Sequence, residues 1–256
     1  MNGLIFGKER RKLEEMKGEG KEKGIRFLLQ PTAAFLIINI YIIMTSCGLP
    51  TTDYLYTPRD FYSGVGTLVL EHDTKNIDEL SSIFLGYEIY YRIFDNQDDA
   101  EISRATISSM KSSNIIQTAN NYKYFPLKHR ISKSGQFSLD ISPLIRVSSN
   151  TYAKYYLNMK PQETWTLTYE DSEIVIDSIV RNRSDTASSA EIECADFYLS
   201  SEYKVNDRDY AGSSPPEKAV YIVFFAFAYG FDTSTMRNVY SDPLILDDPV
   251  EYDPAN

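Results

Sequence analysis

The chain has 256 residues with 26 Lys plus Arg, 36 Asp plus Glu and 43% apolar side chains, enough for a buried core and too few for a polytopic membrane protein. A formal charge of −10 opposes non-specific binding to nucleic acid or to anionic lipid. The cysteines Cys47 and Cys194 and the histidines His72 and His129 are too few for a disulfide framework or a four-cysteine zinc site, and leave little for histidine-based catalysis.

The first segment reads as an export signal. Lys8, Arg10, Arg11, Lys12, Lys17, Lys21, Lys23 and Arg26 precede residues 27–44, which carry no charge. The apolar stretch 32–44 is 13 residues long, is interrupted by Asn39 and follows Gln30-Pro31. A spanning helix needs ~20, so cleavage is expected rather than retention, an uncleaved anchor with a buried Cys47 being the other reading. Initiation at Met1 or at Met16 fits the same pattern. Met44-Thr45-Ser46-Cys47-Gly48 then resembles a bacterial lipobox, with Met44 where leucine is usual. That resemblance implies that Cys47 is acylated and becomes the N-terminus, so that the lipid is the membrane contact. Loss of residues 1–46 leaves 18 basic against 31 acidic side chains, a formal −13. Cys194, beside Glu193 and Asp196, is expected to be a structural thiol, because acidic neighbours disfavour its thiolate.

Residues 47–60, with Pro50 and Pro58, read as a tether that ends in a short first strand at Tyr54-Leu55-Tyr56. Alternation predicts strands over 67–72 and 84–94, with Tyr87, Ile89, Tyr91 and Ile93 on one face of the latter. Asp98 with Glu101 has the spacing of a capping box that opens a helix to about Ser112, its weak apolar side formed by Ile102, Ala105, Ser109 and Met110. Further strands are predicted over 122–127 and 136–141, and a hairpin over 163–169 and 173–181 with Trp165, Leu167, Tyr169, Ile174, Ile176 and Val180 alternating. Residues 219–229 are apolar on both strand faces and read as a buried central strand, followed by a turn over 230–238 and a last strand from Val239. Residues 247–256 form an acidic tail, and the class is mainly β.

Gly86-Tyr87-Glu88-Ile89-Tyr90-Tyr91-Arg92 resembles the third strand of a fibronectin type III module, Leu68-Val69-Leu70-Glu71-His72 its second, and Tyr221-Ile222-Val223 with Tyr240-Ser241-Asp242-Pro243 its last two. The resemblance implies a single immunoglobulin-like β-sandwich over 61–256. A large α/β insertion, about 95–217, would lie between the third strand and the last two. The segments around Gly86, Phe227-Ala228-Tyr229-Gly230 and Tyr240 also resemble uncharacterised spirochaete, chiefly treponemal, lipoproteins, which implies a location in the cell envelope and no particular activity.

Asp95-Asn96-Gln97-Asp98-Asp99-Ala100-Glu101 has the composition of a calcium loop but carries Ala100 where glycine is needed and Thr106 where a bidentate glutamate is needed, so a helix cap is the better account. Asp207-Arg208-Asp209 reads as a solvated turn. Lys128, His129, Arg130 and Lys133 make a basic loop in an acidic protein and are candidates for ligand contact, as are Tyr155 and Tyr156 among the 20 tyrosines. Tyr203 and Tyr210 are further tyrosines to look for at the surface. Nucleophile, zinc-protease and phosphate-loop motifs are absent, and no catalytic residue, metal ligand or cofactor is expected. The expected function is a membrane-anchored envelope lipoprotein that binds a protein or glycan or plays a structural part, on either leaflet. The alternatives are an exported carboxylate-dependent hydrolase and a dedicated glycan-binding module. Strand parity further places the departure of the insertion and the acidic tail at the end of the sandwich away from the tether, and the 230–238 turn at the tethered end.

Overall fold

The computed structural model describes residues 54–129, 143–161, 163–170, 177–184, 193–195, 197, 203–216 and 219–253. The 1–46 segment, Cys47, Arg130, Lys133 and the strand expected over 136–141 lie outside the described residues. In chain order, β1 (Asp60–Gly64) and β2 (Thr67–Glu71) form a hairpin, α1 (Lys75–Asp78) follows, and β3 (Phe84–Phe94) is the first long strand. Next come α2 (Gln97–Ile107), a 3-10 turn (Ser112–Asn114), α3 (Ile115–Asn121), and the short β4 (Phe125–Pro126), β5 (Lys128–His129) and β6 (Ile145–Arg146). They are followed by β7 (Lys154–Asn158), β8 (Trp165–Tyr169), β9 (Asp177–Ser184) and β10 (Glu193–Ala195). The chain closes with β11 (Val220–Asp232), β12 (Arg237–Tyr240), β13 (Leu244–Ile245) and β14 (Val250–Tyr252).

The protein is mainly β and its strands pair antiparallel in two sheets. Sheet I runs β1-β2-β7-β8-β9-β10, with β5 also on β9; sheet II runs β12-β11-β3-β4, with β13 and β14 also on β11 and β6 also on β3. Alternation builds the core between them. Leu68 and Leu70 from β2, Tyr87, Ile89, Tyr91 and Ile93 from β3, Trp165 and Leu167 from β8, and Ile222 and Phe224 from β11 belong to one buried cluster. Each such side chain contributes about 1.5–3 kcal/mol by leaving water.

The opposite face of β11 is buried as well, which explains its unbroken apolar sequence. Val223, Phe225 and Phe227 pack with Phe94, Tyr124 and the helical residues Ala100, Ile107, Met110, Ile115 and Ala119 in a second cluster. The described residues are thus layered as sheet, sheet and helices, with β11 in the middle layer.

Several expectations change. No strand forms at Tyr54-Leu55-Tyr56; the first ladder begins at Asp60. Helix α2 is capped by Asn96, whose Oδ1 accepts from the Asp99 N–H at 2.8 Å while its Nδ2 donates to the Asp99 carboxylate at 2.7 Å. With the cap two residues earlier than Asp98, the buried positions are Ala100 and Ile107, and Ile102 is 65% exposed. The strand expected over 122–127 shrinks to Phe125–Pro126 because Lys123 takes a left-handed turn conformation at φ 56°. In β9 both Ile179 and Val180 are buried, but it is Ile179 that joins the cluster between the sheets, so the inward phase of the strand is one residue from the expected one and also sends Arg181 inward. Residues 95–217 are integral to the sandwich, since they supply β5 and β7 to β10 of sheet I.

Gly86 marks the closest approach between neighbouring backbones. It sits at φ 150° opposite Arg146, and a Cβ there would collide with the Ile145 carbonyl and the Pro143 ring. Gly86→Ala is expected to cost about 1–3 kcal/mol, read as a lower urea midpoint with an unchanged slope. An unchanged midpoint would contradict this packing of β6 on β3.

The chain defines two poles. At the near pole Leu55 and Tyr56 meet Gly230 and Asn76, the Phe231 N–H donates to the Ile83 carbonyl at 2.8 Å, and β2 ends beside the start of β3. At the far pole the Met159 N–H donates to Gly66 O at 2.7 Å, β3 ends at Phe94, and Tyr252 pairs with Val220. The turn after β11 therefore lies with the incoming chain, and the acidic C-terminal segment leaves from the opposite end.

Candidate functional site

The residues singled out as ligand contacts are not gathered at one place. Lys128 and His129 pair with Val180 and Ile179 on β9, and Tyr155 and Tyr156 lie on β7, with β8 between β7 and β9. At ~4.8 Å per strand, β5 and β7 are about 14 Å apart. His129 is buried, and its Nε2 donates to the Leu144 carbonyl at 2.6 Å. Tyr155 is a core residue at 5% exposure, and burial pushes its hydroxyl pKa up to about 12. Tyr203 and Tyr210 are core residues too. Of the described residues of this set, Tyr156 and Lys128 keep an outward, partly exposed position.

Tyr156 belongs to the outer face of sheet I, which the sequence hides because the five residues Lys154–Asn158 are too short a run to mark a strand by alternation. Register puts Tyr62, Val69, Tyr156 and Thr168 side by side across β1, β2, β7 and β8. Tyr62 is 38% exposed, whereas Val69 between the two tyrosine positions is buried. The adjoining row places Asp60, Glu71 and Lys154 together, with Lys154 Nζ 2.7 Å from Glu71. The Glu71 hydrogen bond holds the Lys154 ammonium above its ordinary pKa. On the other side Asn158 Nδ2 donates to Thr168 Oγ1 at 3.2 Å. This face offers aromatic edges, hydroxyls and amides, with Lys154 paired to Glu71 and Asp60 accepting from the Phe61 N–H.

The most strongly ionic cluster is closed to solvent. Arg181 is completely buried, its Nε donating to Asp209 Oδ2 at 3.1 Å and its Nη2 to Asp209 Oδ1 at 2.8 Å and to Asp207 Oδ2 at 3.1 Å. The Tyr91 hydroxyl donates to the same Asp209 at 2.6 Å, and the Tyr203 ring lies 4.1 Å from the guanidinium carbon. Burial acts to lower the Arg181 pKa, but the adjacent Asp209 carboxylate outweighs it and holds the group charged. Asp207-Arg208-Asp209 is therefore not a solvated turn: both carboxylates face inward onto Arg181. The cluster joins β9 of sheet I to β3 of sheet II and to the 203–211 segment, whose Tyr210 bridges Ile93 in parallel.

Among the described residues no group of three or more His, Cys, Asp or Glu could hold a metal ion, and no helix is long and apolar enough to cross a membrane. Comparison of the chain with protein-family models, with curated proteins and with solved structures finds no match.

Proposed function

We propose that the protein is a bacterial envelope lipoprotein of the spirochaete type, held to the membrane by lipid on Cys47, whose sandwich acts as a binding or structural module. The observation that supports this reading best is the direction of the chain. Residues 54–58 reach the near pole, so the seven residues 47–53 could span up to about 25 Å between a lipid and the sandwich, with the far pole at the opposite end of the strands from that attachment.

A fibronectin type III-like fold is part of the proposal. In its favour, the first two strands share a sheet with β7, while the third strand lies beside β11, and β11 beside β12. In such a sandwich β1, β2 and β7 would stand for strands A, B and E, and β3, β11 and β12 for C, F and G. The insertion would then fall between E and F as well as between C and E. Partner contact is proposed for Tyr62 and Tyr156 on sheet I and for Lys128, Arg130 and Lys133 of the basic 128–133 segment, the partner being a protein or a glycan.

Cys47 supplies the test. The wild-type protein is expected to carry a lipid-bearing Cys47 as its first residue by mass spectrometry, and Cys47→Ser to leave the precursor unprocessed. Any other mature N-terminus overturns the proposal.

A further inference from the structure

At the near pole a buried amide pairs with the backbone of the incoming chain, while the Tyr56 side chain is held from outside, its hydroxyl donating to Glu79 at 2.5 Å and its ring under Lys75. Asn76, fully buried on α1, accepts from the Tyr56 N–H through Oδ1 at 2.9 Å and donates to the Tyr56 carbonyl through Nδ2 at 2.8 Å, as a neighbouring strand would. The second Nδ2 hydrogen points to the Tyr87 hydroxyl at 3.3 Å. That hydroxyl also accepts from the Asp73 N–H at 3.0 Å and lies 2.7 Å from His72 Nδ1. The other ring nitrogen, Nε2, lies 2.8 Å from Asn150 Oδ1, and Asn150 Nδ2 donates to Asp78 Oδ1 at 2.8 Å.

The carboxylate fixes every proton in this chain. Asp78 can only accept, so Asn150 presents its amide nitrogen to Asp78 and its oxygen to His72. His72 Nε2 must then carry the hydrogen, which leaves Nδ1 as an acceptor and makes the Tyr87 O–H its donor. With His72 neutral, every hydrogen has an acceptor. A proton on Nδ1 removes the one acceptor available to the Tyr87 O–H, and its remaining neighbours, Asp73 N–H and Asn76 Nδ2, are donors. Four hydrogens then crowd one oxygen, and the longest contact, that to Asn76, is the weakest restraint.

We infer that His72, Tyr87 and Asn76 form an acid-sensitive clamp on the incoming segment, closed when the imidazole is neutral and loosened when it takes a proton. The groups around the ring argue in both directions. Phe84 stacks on it at 5.9 Å and Tyr87 meets it edge-on from β3, while Asp73 from its own loop and Asp78 from α1 would favour a positive ring. Glu71, the preceding residue, is engaged by Lys154. Burial outweighs the carboxylates and the Asn150 hydrogen bond, so the His72 pKa lies below its ordinary 6.5.

The sign follows from linkage. The unfolded chain binds the proton more readily than the folded one, so the clamp's contribution is complete above about pH 6.5 and is lost as pH falls toward the lower folded value. Leu55 and Pro58, both buried, then remain as the apolar anchors of the segment. This device goes beyond the lipoprotein reading and does not depend on it, since nothing in it involves Cys47.

Hydrogen exchange of the full chain in detergent micelles, with the intrinsic rate corrected for pH, tests the clamp at the Tyr56 amide. Protection is expected to be lost progressively as pH falls below about 6.5 and to level off once NMR shows the His72 imidazole protonated. In His72→Gln, protection should no longer vary with pH. If that variant fails to fold, Asn76→Ala should show the low protection already at pH 7. Wild-type protection unchanged across the His72 titration overturns the inference, as does an equal acid loss in His72→Gln or full protection at pH 7 in a folded Asn76→Ala.

Discussion

Arg181→Ala is expected to cost about 3–5 kcal/mol of folding stability, because it strands two buried carboxylates rather than merely removing an ion pair. Asp207 and Asp209 lose their cation in a site where Arg181 is completely buried and Asp209 is equally inaccessible. Without the guanidinium, the Tyr91 O–H on Asp209 and the Lys204 N–H on Asp207 are donors that cannot neutralise them. A second variant separates charge from packing: Arg181→Met with Asp207→Asn and Asp209→Asn should recover much of the loss. Urea melts decide it, and a cost below about 1 kcal/mol for Arg181→Ala would mean that the cluster is hydrated.

This cluster also shows where the sequence stops being informative. The alternation of β3 is visible because its apolar residues recur every second position, and the expected strand over 84–94 has the observed bounds. The apolar run of β11 likewise announces burial on both faces, although not what covers the second face. Arg181 and Asp209 are 28 residues apart, and no local period links them. A correct phase for β9 was the available clue, since Arg181 shares its inward face with Ile179 and a buried arginine demands an acid. The phase of helix α2 is hidden for a similar reason: a cap at Asp98 would place Ile102 on the apolar side, whereas Asn96 starts the helix earlier and turns Ala100 and Ile107 inward. Tyr155 and Tyr156 illustrate the limit for sites: adjacent residues on a strand face opposite ways, and one is core while the other is surface.

The two faces of β11 should respond differently to the same truncation. Phe224→Ala and Phe225→Ala each remove a fully buried ring, and each is expected to cost about 3–5 kcal/mol. Phe224 lies between the sheets, 6.5 Å from the Tyr91 ring and 6.4 Å from Trp165, so its loss weakens the contact that defines the sandwich. Phe225 faces away from that core, stacked 5.3 Å from Tyr90 and tilted against Tyr124 at 5.5 Å, within the cluster that carries α2 and α3. Its removal leaves the sheets in place and withdraws the floor beneath the helices. Global urea midpoints should therefore fall in both variants, but hydrogen exchange should distinguish them. In Phe225→Ala the amides of Gln97–Ile107 and Ile115–Asn121 should open at lower free energy than those of β3, as a separate unit. In Phe224→Ala, sheet and helix amides should lose protection together. Uniform loss in both variants would show that the helices are not an independent layer, and a Phe225→Ala cost under about 1 kcal/mol would show that they do not rest on β11 at all.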